Sequence, residues 1–481
     1  MKLLSSRCGV RSAVAGAAVV VLLAAGCGSD DDDSTAETTA VADAIDESTA
    51  TAVINADAET STTQGDGSEA GEAGSDDGGS VSASDPRGAI PDEADLVDGE
   101  ADVDAGIGPS FDLEDPTAPD ATAELKGEPG RLIKAEIVEE GEDGTLWRIW
   151  YESSGIDDQP VMVGGMVAVP AGDAPDGGFQ TISYAHGTVG IGDACAPSRT
   201  YSLQEAAGHE WAVSDSSVVV VDSDYEGLGT DGVHHYLVGV TEGRSVLDAT
   251  RAATQLEDVD ISNQTVIWGQ SQGGHAALFA AQLAADWAPE LDVLGIVAES
   301  PATELPLLGA AVQAGVGLEY VMMASTGFAE AYDLDLNDFV SEGYWEAFDE
   351  MTFGCSFDFR EALQGLSYDD LATTSFGDLP DWSAALERNN PGTVAFDVPL
   401  MIAHGVDDTL VPSLAPDALA ERLCGLGQVL EYRLFDGQGH GLEGEAADEI
   451  GAWIDARLAG DQMPTQAEDG NTRASKYEVC P

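Results

Sequence analysis

The sequence predicts an α/β fold: a mostly parallel central sheet, helices on both faces, and one long helical insertion. Five short apolar, β-branched runs bounded by turn residues point to the sheet: Gln180–Ala185, Ser217–Val221, Thr265–Trp268, Val293–Ala298 and Pro399–Ala403. They are continuous rather than alternating, as strands buried on both faces are. Helical stretches lie between them, clearest at Glu242–Glu257 and Gln272–Trp287, and strand-helix alternation implies parallel neighbours joined by crossovers. Residues 301–396 break the pattern with 96 residues rich in Leu, Ala, Met, Phe and Trp and no evident strand. A connection that long is normally functional, and this one is expected to cap the site as a lid.

The remaining elements follow in order. Arg131–Glu139, Leu146–Tyr151 and Val161–Val169 have the texture of antiparallel strands that open the domain. Gln428–Phe435 reads as a strand near its end. The folded domain is expected to span residues 128–481.

What precedes it does not read as a packed fold. Lys2, Arg7 and Arg11 are followed by the apolar run Ala13–Ala25, the layout of an export signal over residues 1–26. The run is shorter than the roughly 20 residues of a membrane span, so cleavage is expected. Ala24-Ala25-Gly26 before Cys27 resembles a bacterial lipobox, which would make Cys27 the lipidated N-terminus of a cell-surface lipoprotein anchored to the bacterial membrane. The alternative is an ordinary signal peptide with an incidental Cys, giving a secreted protein. Residues 27–127 begin near Asp30–Asp33 and continue in Thr, Ala, Gly, Ser and Asp with few aromatics. Such a composition buries too little apolar surface to offset its ordering entropy and predicts a solvated acidic tether.

The chain carries a net charge of −71, and the region after residue 127 keeps 61 acidic against 13 basic side chains, about −48. That excludes nucleic acid as a partner class. A surface of one sign repels itself, and salt screens the repulsion, so the domain is expected to gain stability with ionic strength. Setting aside Cys8 and Cys27, four cysteines remain: Cys195, Cys355, Cys424 and Cys480. In an exported protein they predict two disulfides, with three connectivities open. No pair has C-x-x-C spacing, so no metal site is expected from them.

The chemistry-bearing motif is Gly269-Gln270-Ser271-Gln272-Gly273. A Gly-rich chain of this length produces G-x-S-x-G readily by chance, but here it lies directly between a strand and a helix. A sharp strand-turn-helix bend lifts a serine hydroxyl off the sheet, and glycines make room where backbones crowd. A hydroxyl is a poor nucleophile without a base, and the base needs an orienting carboxylate. Downstream, His440 in Gly437-Gln438-Gly439-His440-Gly441 follows the strand that ends at Phe435, and Asp407-Asp408 follows the strand that ends at Ala403. Ser271, His440 and one of the adjacent Asp407 and Asp408 are therefore the candidate catalytic set. An oxyanion needs two preorganised N–H donors. Gln272 is the first candidate; Thr188, with Gly187 next, is the second, on the loop Tyr184–Gly190 expected after the third strand.

Taken together, His186-Gly187-Thr188, Cys195-Ala196-Pro197-Ser198, Asp224-Tyr225-Glu226-Gly227-Leu228-Gly229, Gly269–His275 and Asp408-Thr409-Leu410-Val411-Pro412 resemble the secretory lipase family of α/β-hydrolases. The likeness spans most of residues 130–460. It implies hydrolysis of triacylglycerols or related carboxylic esters through an acyl-enzyme, a lid over residues 301–396, and no cofactor. It also implies that Cys195 pairs with Cys355 and Cys424 with Cys480, and favours Asp408 over Asp407. The tether and lipobox are not family features.

Other residues have blander readings. His275 is expected to pack beneath the site, and His234-His235 to be surface loop residues rather than metal ligands. Asp224 and Glu226 suit turns or supporting hydrogen bonds, and Met322, Met323 and Phe328 suit either an acyl pocket or plain core. The alternatives to a lipase are a serine peptidase or non-lipid esterase of the same fold and a catalytically silent binding protein. The absence of a long propeller-like region before residue 131 counts against the peptidase.

Overall fold

In the computed structural model of the protein the described residues are 125–203, 218–313, 317–353, 355, 360–361, 363–464 and 476–480. The expected signal segment, Cys27 and the acidic tether up to residue 124 lie outside them. Among the described residues a ten-stranded sheet has the order β1-β2-β3-β5-β4-β6-β7-β8-β9-β10. β1 (Leu132–Glu140), β2 (Gly144–Ser154) and β3 (Pro160–Pro170) form an antiparallel meander, and β3 joins β5 (Val218–Ser223) antiparallel. From β5 the sheet is parallel through β4 (Phe179–Ala185), β6 (Ile261–Gln270), β7 (Asp292–Glu299), β8 (Leu400–Gly405) and β9 (Leu430–Phe435). β10 (Lys476–Cys480) closes that edge antiparallel.

Every strand run expected from the sequence lies within or overlaps one of these strands. The loop Tyr184–Gly190 follows β4, however, the fourth strand in chain order and not the third, because three antiparallel strands precede it. α1 (Gly239–Ala253) also starts three residues earlier than its periodicity suggests. At that start the Glu242 carboxylate turns back to accept the N–H of Leu237, just before the helix, at 2.9 Å, and the open Gly239 N–H is met by Asn389 Oδ1 at 3.1 Å.

α2 (Gln272–Trp287) is enclosed in the core: Ala276, Ala277, Leu278 and Ala280 are fully buried in one cluster with β6 and β7 side chains such as Ile267 and Ile296. On the opposite face α8 (Glu445–Leu458) buries Ile450, Trp453 and Ile454 against Val266, Trp268 and Val297. The parallel core is thus covered on both sides, as its unbroken apolar strands require.

Between β7 and β8 the chain builds α3 (Leu305–Gln313), α4 (Leu318–Tyr332), α5 (Glu342–Phe353) and α6 (Pro380–Arg388). These helices share a core of their own, in which Phe339 stacks on Phe376 at 4.4 Å and on Trp382 at 5.2 Å. Disulfides Cys195–Cys355 and Cys424–Cys480 tie the segment after β4 to the insertion and α7 (Leu414–Gly425) to β10. This is the pairing the family likeness implied.

Candidate active site

β6 ends at Gln270 and α2 begins at Gln272, so Ser271 alone makes the bend. It does so at φ 59° and ψ −116°, backbone space that a residue with a Cβ rarely occupies and that must be imposed by its surroundings. Its N–H donates to the Glu299 carbonyl at 2.9 Å, and its carbonyl accepts from the N–H groups of His275 and Ala302, each at 3.1 Å. The glycines are steric necessities: a Cβ at Gly273 would lie 1.7 Å from the Ala185 carbonyl oxygen, and one at Gly269 would lie 2.1 Å from that of Gly273.

The downstream candidates meet this serine. His440 Nε2 lies 2.8 Å from Ser271 Oγ, and His440 Nδ1 lies 2.7 Å from Asp408 Oδ2. A carboxylate only accepts, so Nδ1 carries the proton and Nε2 is left to accept from the serine hydroxyl. Asp408 is held from its other oxygen, where Oδ1 accepts the N–H groups of Leu410 at 2.8 Å and Val411 at 2.9 Å. Burial pushes its pKa up, but the hydrogen bond and charge of His440, with the Val411 N–H, outweigh that and hold it below the usual carboxylate range. Asp407 is exposed, its N–H spent on the Gln438 carbonyl at 2.9 Å. His404 lies behind the acid, fully buried, with Nε2 3.4 Å from Asp408 Oδ2 and 2.8 Å from the Val411 carbonyl.

The loop carrying His440 follows β9 and, besides the Asp407–Gln438 bond, is fastened to the strands of the elbow side. Gln270 Nε2 donates to the His440 carbonyl at 3.1 Å, and the Leu442 N–H donates to Glu299 Oε1 at 3.2 Å. The second oxygen of Glu299 accepts from the Trp268 indole at 3.1 Å. Burial raises the Glu299 pKa to about 7, against the opposing pull of those two donors and of the His440 charge. Sequence reasoning passed over Glu299; the available signal was its place at the carboxyl end of the strand beside the elbow strand, where α/β sites cluster.

Gln272, as the first residue of α2, has a main-chain N–H without an intrahelical partner. Thr188 sits on the loop after β4, the strand paired with β6, and its hydroxyl meets Tyr236 Oη at 2.7 Å. The two candidate donors therefore follow neighbouring strands.

Ser271 opens into a chamber whose apolar lining includes Leu237, Leu305, Val321, Phe328 and Leu410. Phe328 lines it, while Met322 and Met323 are fully buried in the core of the insertion. His234 and His235 are not surface residues: only 1% and 8% of each is exposed. His234 is enclosed because Nδ1 meets the Glu226 carbonyl at 3.0 Å and Nε2 meets Gln272 Nε2 at 3.0 Å. Asp224 is buried too, accepting the Ser198 N–H at 2.8 Å. Among the described residues no group of three or more His, Cys, Asp or Glu is arranged to hold a metal ion.

A family model described as secretory lipase matches residues 210–466. A Mycobacterium tuberculosis protein named probable inactive lipase is 25% identical over 69% of this chain and 79% of its own length. Lipase A of Arthroderma benhamiae is 27% identical over 46% of this chain and 49% of its own. Among solved structures, Candida antarctica lipase A in its closed state superposes with a TM-score of 0.60 at 18% identity, over 70% of this chain and 84% of that one. The cell wall degrading esterase LipA of Xanthomonas oryzae gives 0.56 at 19% identity, over 69% and 96%.

Proposed function

Because the chain belongs to the secretory lipase family of α/β-hydrolases, we propose that it is an exported serine carboxylester hydrolase, a lipase acting on triacylglycerols or related lipid esters. The observation that carries the reading is the unbroken hydrogen-bond line from Ser271 Oγ through His440 to Asp408.

In this reaction Ser271 Oγ attacks the ester carbonyl while His440 Nε2 takes its proton, and Asp408 holds the ring in that tautomer and stabilises the imidazolium as it forms. The tetrahedral oxyanion is met by the main-chain N–H groups of Gln272 and Thr188. His440 then returns the proton to the departing alcohol. Water, activated by the same imidazole, hydrolyses the acyl-enzyme and frees the acid. The apolar chamber lined by Phe328 and Leu305 suits an acyl chain, which binds by burying methylenes at about 0.8 kcal/mol each. The helices of residues 301–396 serve as the lid over it. Export with a lipid at Cys27 and an acidic tether completes the reading; no helix among the described residues is long and apolar enough to cross a membrane.

A second reading, a catalytically silent binding protein, is favoured by one relative's name, probable inactive lipase. The hydrogen-bonded Ser271, His440 and Asp408 count against it here. The two separate in one experiment: an organophosphonate labels Ser271 and p-nitrophenyl esters are hydrolysed, with Ser271→Ala losing both by about 10⁴-fold or more. Full activity in Ser271→Ala, or an unlabelled wild-type protein, rejects the proposal. Rates across p-nitrophenyl esters of rising chain length then distinguish a lipase from a short-chain esterase.

A further inference from the structure

A second set of buried polar groups lies beside the Ser271–His440–Asp408 line and converges on Glu242, a residue of α1 with 1% exposure. Oε1 accepts the Leu237 N–H at 2.9 Å and Gln272 Nε2 at 2.8 Å, and Oε2 lies 2.7 Å from His275 Nδ1. His275 Nε2 lies 2.8 Å from the Asn389 carbonyl oxygen. Both ring nitrogens of His275 are thus engaged, one by Glu242 and the other by the Asn389 carbonyl. A buried carboxyl group is tolerated when its oxygens are hydrogen-bonded, and those of Glu242 meet His275, the Leu237 N–H and the Gln272 side-chain amide.

The groups this carboxylate gathers have separate tasks. Gln272 is the candidate oxyanion residue, and both protons of its side-chain amide are committed, one to Glu242 and the other toward His234 Nε2. His234 Nδ1 faces the Glu226 carbonyl, so its Nε2 is an acceptor, and burial lowers its pKa and keeps it neutral. Leu237 lines the chamber. Asn389 follows α6, and its side chain accepts the Gly239 N–H at 3.1 Å and exchanges hydrogen bonds with the Tyr332 hydroxyl at the end of α4. Directly and through His275, this carboxyl group therefore ties together the start of the elbow helix, a wall of the chamber and Asn389 of the insertion.

We propose that Glu242, acting with His275, is a positioning residue for ester hydrolysis: it fixes the Gln272 side chain so that the Gln272 main-chain N–H stays aimed at the oxyanion. The proposal rests on the reading of Ser271 as nucleophile. It also couples that donor to the insertion, since His275 reaches the Asn389 carbonyl from the same helix. Removing the carboxylate therefore acts on transition-state binding more than on ester binding, because the oxyanion exists only after attack.

Glu242→Gln is the sharp test, since it removes the carboxyl group and one of its two accepting oxygens while keeping the side chain's shape. With active sites counted by organophosphonate titration, kcat per site on a short p-nitrophenyl ester falls about 10- to 100-fold. KM stays within about threefold, and the inhibition constant of an aryl boronic acid, which forms a tetrahedral adduct at the serine, rises in parallel with the loss in kcat/KM. Gln272→Ala removes the same side-chain contacts and keeps the main-chain N–H; it shows the same pattern, and the double variant loses little more than the worse single one. Values of kcat per site and boronate inhibition within about twofold of wild type, with only a lower melting temperature, reduce the network to structural support and overturn the proposal. Should Glu242→Gln fail to fold, Gln272→Ala decides by the same two measurements. A wild-type protein that the phosphonate leaves unlabelled removes the hydrolase reading itself, a different result from a labelled enzyme indifferent to Glu242→Gln.

Discussion

Around Ser271 the chain reverses within the five residues Gly269–Gly273, whereas the insertion between β7 and β8 spreads over residues 301–396. In the first region position is imposed by backbone crowding, down to the 1.7 Å approach a Cβ at Gly273 would make. In the second it is imposed largely by side chains distant in sequence: Phe339 stacks on Phe376 and on Trp382. Short-range steric demands leave a motif, because only certain residues meet them. Packing demands leave only composition, because many apolar combinations fill the same volume.

The comparison breaks most sharply at the acid. Asp408→Asn lowers kcat by about 10⁴-fold, since an amide in place of the carboxylate favours the wrong His440 tautomer, while the exposed Asp407→Asn stays within about threefold of wild type. Steady-state kinetics on a p-nitrophenyl ester checks both, and a reversed ranking would remove Asp408 from its proposed role.

In the insertion a substitution acts on volume. Phe328→Ala costs about 4 kcal/mol of stability and moves the optimum toward longer acyl chains, because Phe328 lines the chamber. Met322→Ala costs about 3 kcal/mol and leaves the chain-length profile alone, because Met322 is buried in the core of the insertion. Denaturation midpoints and an ester series test the pair, and identical profiles would mean that the acyl chain lies elsewhere.

Buried carboxyls outside the insertion set the response to pH. Burial raises Glu299 from about 4.5 to about 7, and Asp224 and Asp248 from about 3.8 to about 6. Between the lower and upper values the folded chain keeps protons that the unfolded chain has released, so stability falls as pH rises through that window and levels off above it. Asp408, held below its ordinary value, has the opposite sign and destabilises only as pH falls through its folded pKa. Glu299→Gln removes up to about 3 kcal/mol of the slope between about pH 4.5 and 7. A wild-type melting temperature that climbs across that interval would contradict the assignment.

The smallest effect belongs to the surface. Screening of a region at about −48 raises the melting temperature by a few degrees between low and molar salt, and a flat or falling curve would show that the acidic excess is not a stability term.

Much of the sheet was legible in the sequence. The run Thr265–Trp268 lies inside β6, and Gln272–Trp287 is α2 to the residue, because a buried parallel strand is a short apolar, β-branched run and the helix is a long Ala- and Leu-rich stretch directly after the bend. The candidate set was legible for a related reason, since Ser271, Asp408 and His440 each stand just beyond a strand. His234 was misread as surface because a histidine on a loop has no pattern of its own, and its burial depends on Gln272, 38 residues away. Glu299 and Glu242 carried no motif either.

By itself the sequence determined the strand-turn-helix bend at Ser271, the strand-end placement of His440 and the Asp pair, and the strongly acidic balance, all of which depend on residue type and on neighbours a few positions apart. Tertiary structure decided that Asp408 and not Asp407 turns toward His440, that Glu242 collects donors from Leu237, Gln272 and His275, and that Phe328 rather than Met322 lines the chamber. The physical reason is reach: a hydrogen bond or a filled cavity joins atoms within a few ångströms whatever their separation along the chain, and only the folded backbone brings those atoms together.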